Sequence, residues 1–108
     1  MTDIAPMTTS SNPPLPPGAI SASPWEPASG KYPAYRIVNT SERTLTDHDA
    51  LVSAGALQWV DGTIEDGHLD DCPTIYIDQP ATLNSDQARE LAAILLDLAA
   101  QIDGWVQR

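Results

Sequence analysis

The chain has 108 residues, 42% of them hydrophobic, with 15 acidic against 5 basic side chains and a formal charge of −10. That length allows one domain with a small core, and that charge disfavours direct contact with a nucleic-acid backbone or an anionic membrane, both of which need basic patches. A single cysteine, Cys72, excludes an internal disulfide framework and fits a reducing cytoplasm.

Residues 1–33 read as a Pro-rich arm, disordered or extended. Eight of the ten prolines lie at or before Pro33, and the only charged residues ahead of Lys31 are Asp3 and Glu26. Pro13-Pro14-Leu15-Pro16-Pro17-Gly18 favours polyproline II, and its surroundings carry no periodic apolar face. Trp25 stands between Pro24 and Pro27, where a stiff backbone loses little entropy on docking. Two placements are open for it: over the domain's own core edge, or against another protein. The arm has no basic residues ahead of an apolar run, so it does not read as a secretion signal, and no run approaches the length of a membrane span.

Residues 34–108 read as one small α+β domain. Ala34–Val38 has the composition of a first strand, ended by Asn39. Thr46 reads as the cap of a short helix over Asp47–Ala54, with Asp47 and Asp49 in its first turn and Gly55 at its end. Ala56–Val60, Asp61-Gly62 and Thr63–Glu65 form a hairpin signal, in which Asp-Gly suits a two-residue type I′ turn and Leu57 and Trp59 share a face. Thr74–Asp78 alternates cleanly, with Ile75 and Ile77 on one face and Thr74, Tyr76 and Asp78 on the other. Gln79–Leu83, with Pro80 inside, turns into a long helix.

That helix starts at a capping box, Asn84 with Gln87, and negative charge from Asp86 suits its first turn. Ala88, Leu91, Leu95, Leu98, Ile102 and Trp105 recur at three- and four-residue steps. Ala92, Leu96, Ala99 and Ile94 widen the stripe to an arc of roughly 200°, more than one sheet contact covers. The expected architecture is an antiparallel sheet of three to four strands with this helix on one face. The surplus arc calls for a second partner, either another protein or a second copy of the chain. Ile94, Leu98, Ile102 and Trp105 are the expected contacts, and Trp25 is a further one.

Reactive chemistry finds little support. Asp66-Gly67-His68-Leu69-Asp70-Asp71-Cys72 mixes metal donors, yet matches no zinc or calcium spacing. Asp47-His48-Asp49 lacks a nucleophile in a recognisable elbow. No catalytic, cofactor-binding or metal-binding residue is assigned, and the expectation is a non-enzymatic protein. Nine carboxylates and no Lys or Arg lie between Arg43 and Arg89. They suit a solvated surface, a basic-faced partner, or imitation of nucleic acid.

The run Leu83-Asn84-Ser85-Asp86-Gln87-Ala88-Arg89-Glu90-Leu91-Ala92, continuing to Asp103-Gly104-Trp105 and preceded by Ile75-Tyr76-Ile77-Asp78, resembles the C-terminal strand and helix of small proteins from mycobacteria, other actinobacteria and their phages. The resemblance spans residues 73–108 and leaves the arm outside. It implies a phage, prophage or actinobacterial accessory gene, and no reaction or cofactor. Three readings follow: a protein-interaction module in the bacterial cytoplasm, a virion component whose arm lies along a neighbouring subunit, and an acidic mimic that occupies a nucleic-acid-binding site.

Overall fold

The computed structural model describes residues 12–79 and 82–106; Pro80 and the arm before Asn12 lie outside the described residues. Five antiparallel strands and one helix follow in chain order: β1 (Ala19–Ala22), β2 (Tyr35–Thr40), β3 (Arg43–Thr44), β4 (Leu51–Trp59), β5 (Thr74–Asp78) and α1 (Ser85–Asp103). The class is α+β, with more strands than the three or four expected.

Strand β4 is the spine. Its Gly55 faces Asn39 of β2 on one side and Thr74 of β5 on the other. Its Leu51 and Val52 face Thr44 and Arg43 of β3, and across the opposite edge Asp78 and Ile77. Strands β2 and β3 therefore lie end to end along one edge of β4, while β5 holds the other. Between them residues 40–42 face only Ser53 and Ala54, so one extra residue bulges out. The Thr40 hydroxyl fills the gap in the ladder by accepting the Ala54 N–H at 2.9 Å.

The helix expected over Asp47–Ala54 is corrected here, because its second half is the start of β4. Leu51 to Trp59 is buried or half-buried on both faces, as befits a central strand, so its sequence shows no clean two-residue alternation. Pairing on both edges outweighs the helix propensity of its alanines. The hairpin beyond β4 is also smaller than expected. Of its second arm only Ile64 pairs, with Gln58, and Asp61 is not left-handed as a type I′ turn requires. Gly62 alone takes φ 96°, and its N–H closes the turn on the Trp59 carbonyl.

Helix α1 begins as expected. The Asn84 side chain accepts the Gln87 N–H and the Gln87 side chain accepts the Asn84 N–H, a reciprocal cap worth about 1 kcal/mol. Glu90 then holds the Thr46 backbone and hydroxyl, and Arg43 meets Asp97 at 2.6 Å, which fixes the helix against the β3–β4 turn. Leu98 lies fully buried on Val52 and Ala54, with Ile75, Leu91, Ile94 and Leu95 around it. The small side chains of β4 let the helix approach the sheet closely.

The arm does not stay apart from the domain. Residues 19–22 add a strand to the free edge of β2, although β1 contains no proline and little apolar surface. Ahead of it, Leu15 and Ala19 pack on the cluster of Val38, Ala56 and Trp105. The Trp105 indole donates to the Pro17 carbonyl at 2.6 Å. Arg36 donates to Pro13, and the buried Gln58 donates to Pro14 and Gly62 while accepting from Arg36. The surplus apolar arc at the end of the helix is thus met by the chain's own proline segment.

Candidate functional site

This packing redistributes the residues expected to dock a partner. Leu98 is 0% exposed and Trp105 is 6% exposed, so both are spent inside the monomer and neither presents a surface. Ile94 and Ile102 are half-buried against the same clusters. The flank assigned to a partner is the flank that faces the sheet and arm. What α1 leaves outside is Leu96, 73% exposed, among alanines. Trp25 folds back over the domain: its ring covers the Arg36 guanidinium at 4.7 Å and its indole donates to Asn12.

Among the described residues, no helix lies on the opposite face of the sheet. There β2 and β4 contribute Tyr35, Ile37 and Leu57, and β5 contributes Thr74 and Tyr76. These residues line a cleft of 210 Å³. Its floor is Gly55, where a Cβ would lie 2.5 Å from the Asn39 side-chain oxygen and 3.3 Å from the Tyr76 ring. Any larger residue there crowds the floor and displaces one of those neighbours. Tyr76 is 54% exposed, an aromatic wall with one side in solvent.

A second wall comes from the arm. Ser29 and Tyr32 exchange backbone hydrogen bonds around a two-residue turn, in which Gly30 supplies the positive φ of 58°. The turn lays Tyr32 parallel to Trp59 at 6.2 Å between centroids, and Tyr35 meets the same indole edge-on at 6.0 Å. Trp59 is thereby buried as the backing of two tyrosines. Lys31 sits over the Tyr32 ring at 5.5 Å.

The rim is the loop from Asp66 to Pro73, and a buried carboxylate holds it in place. One oxygen of Glu65 accepts the backbone N–H groups of Gly67, Leu69 and Asp70, and the other accepts the Trp59 indole at 3.2 Å. Burial alone raises the Glu65 pKa, but these four donors favour the charged form more and leave it below the usual carboxylate value. The loop then presents Asp70, Asp71 and Cys72 to the cleft. Tyr32 donates to Asp70 at 3.2 Å and to the Leu69 carbonyl at 3.3 Å. Its phenol is raised by burial first and by the Asp70 carboxylate second. Among the described residues no cation forms an ion pair with Asp70 or Asp71.

The other reactive-looking clusters have structural tasks. His48 accepts the Ala50 N–H at Nδ1, which leaves Nε2 to donate to the Thr82 carbonyl. His68 meets Asp66 at 2.6 Å on the surface, and each holds the other's charge, raising the imidazole and lowering the carboxyl. Among the described residues no three His, Cys, Asp or Glu side chains come together as a metal-binding group, and no helix is long and apolar enough to cross a membrane.

Sequence reasoning placed Tyr76 away from Ile75 and Ile77 but did not see the cleft. Strand alternation was the available signal; the register that joins Tyr76 to Tyr35 and Leu57 was not. No protein-family model matches the chain, and no curated protein or solved structure is significantly similar to it.

Proposed function

We propose that this protein is a non-enzymatic interaction module that receives a basic segment of another protein on the helix-free face of its sheet. The observation that carries the reading is the cleft between Tyr35 and Tyr76, an aromatic hollow with two carboxylates at its rim and, among the described residues, no cation paired to them. Charge selects the partner. A second copy of the chain would bring a formal −10 against −10, whereas a basic segment is drawn in. Aromatic side chains that are rigidly backed and half in solvent are typical interface anchors. The resemblance of residues 73–108 to actinobacterial and phage proteins suggests a bacterial or phage partner. The interaction reading is preferred to the virion alternative because it draws on the cleft, while β1, the part of the arm an inter-subunit role would use, pairs with β2 of its own chain.

The full chain, isotopically labelled, is titrated with a peptide rich in Arg and Lys and with its charge-reversed counterpart. The basic peptide is expected to shift the amides of Tyr35, Ile37, Leu57 and Tyr76 and to slow alkylation of Cys72, the only cysteine. Binding should weaken as salt shortens the screening length below about 10 Å. Equal binding of the acidic peptide, or shifts confined to α1, would overturn the reading.

A further inference from the structure

We infer that the cleft between Tyr35 and Tyr76 is a receptacle for one arginine side chain of that basic segment, with the guanidinium held between tyrosine faces and the carboxylates of Asp70 and Asp71. The inference rests on the interaction reading above and gives its central contact. Size is the first argument. At 210 Å³ the hollow is below the roughly 300–1,000 Å³ of pockets that take whole organic ligands, so it suits a single side-chain head. Lining is the second. Aromatic faces attract a cation through the ring quadrupole, and a planar guanidinium both stacks on such faces and offers paired N–H donors to a carboxylate.

The Asp70 carboxylate is prepared for this. Asp70 is oriented by the Tyr32 hydroxyl on one oxygen and by the Asp71 N–H on the other, at 3.2 and 2.7 Å. Each oxygen keeps lone-pair capacity for a further donor. Glu65 fixes the loop backbone beneath them, so little ordering remains to be done on binding. The chain also shows the same chemistry elsewhere, in Arg36 lying 4.7 Å from the Trp25 ring centroid. Lys31, over the Tyr32 ring, stands beside the site and repels an incoming cation.

The test uses the basic peptide with one central arginine, its other charges supplied by lysines, and a twin in which that arginine is citrulline. Citrulline keeps the shape and removes the charge. The full chain is expected to bind the arginine peptide roughly tenfold more tightly. Asp71→Asn and Tyr76→Ala, both at exposed positions, are each expected to erase that preference, and Lys31→Gln to raise affinity severalfold. Circular dichroism and the unchanged amide shifts of α1 verify that the variants are folded. Equal affinity for the two peptides, or a preference that survives Asp71→Asn in the folded variant, overturns the arginine assignment and leaves the binding face standing. Failure of both peptides to bind overturns both readings.

Discussion

The two faces of the sheet are built from the same strand by different rules. On one, β4 sets Val52, Ala54 and Ala56 beneath α1, and the small side chains let Leu98 and Trp105 seat fully. On the other, Leu57 and Trp59 of the same strand stand with tyrosines, and the face is left partly in water with a hollow at Gly55. Small residues under a helix serve stability. Large aromatics without a cover, held rigid by a buried tryptophan, are poorly explained by stability alone. The lesson is that a wide apolar helix arc is not by itself a docking surface, because a proline segment of the same chain can complete the packing.

The largest expected effect lies on the helix-covered face. Leu98→Ala removes the best-buried side chain of α1 and is expected to cost about 2–5 kcal/mol in chemical denaturation, a large part of a small domain's total. Peptide binding by the folded fraction should be unchanged. A cost below about 1 kcal/mol would break the contrast between the faces, since it would mean that Leu98 packs no tighter than a surface residue.

Much of the fold was legible in residues that act locally. The capping box of Asn84 and Gln87 and the strand Thr74–Asp78 depend only on neighbours in sequence, and both form as expected, although Ile77 stays exposed where Ile75 is half-buried. What depends on distant partners was not legible. Leu51–Ala54 carried helix signals and became strand because β3 and β5 pair with both of its edges. Leu15 and Pro17 looked like linker, and Trp105 looked like a free anchor; each explains the other only when they are 88 residues apart and in contact. The cleft needs a register between β2, β4 and β5, and no single segment contains it.

Glu65→Gln sharpens the comparison from the open face. It keeps the size of the side chain but sets an amide among N–H donors, and it is expected to cost about 1–3 kcal/mol. The sign with pH follows from a folded pKa below the unfolded one. The native carboxylate stabilises fully above the unfolded value, and that contribution is lost as pH falls through the folded value. The variant should therefore show a flatter loss of stability in acid, and faster amide exchange at Leu69 and Asp70. An acid limb identical to that of the native protein would show that another carboxylate governs it.

Trp105→Phe tests how firmly the arm belongs to the helix-covered face. The ring still fills the space beside Val38 and Ala56, but the hydrogen bond to Pro17 is gone. A loss of about 0.5–1.5 kcal/mol is expected, with faster hydrogen exchange along β1 and little change at β5. Uniform acceleration across the sheet would mean that the arm and the core open together, as one unit.

The smallest effect is expected at the surface pair of the rim loop. Asp66→Asn should lower the His68 titration, followed by its ring proton resonances, toward the ordinary histidine value, because the carboxylate at 2.6 Å is the largest of the groups that raise it. Linkage would make that pair stabilising above the unfolded pKa of Asp66, and lost as pH rises through the folded pKa of His68. Both groups are exposed and screened by solvent, so the melting temperature should not change measurably across that window. Glu65, buried and held by four donors, then carries the loop together with the Tyr32 hydroxyl on Leu69 and Asp70. A melting temperature that tracks the His68 titration would instead show that the exposed pair shares in holding the rim, and the carboxylates at the cleft would be positioned from the surface as well as from the core.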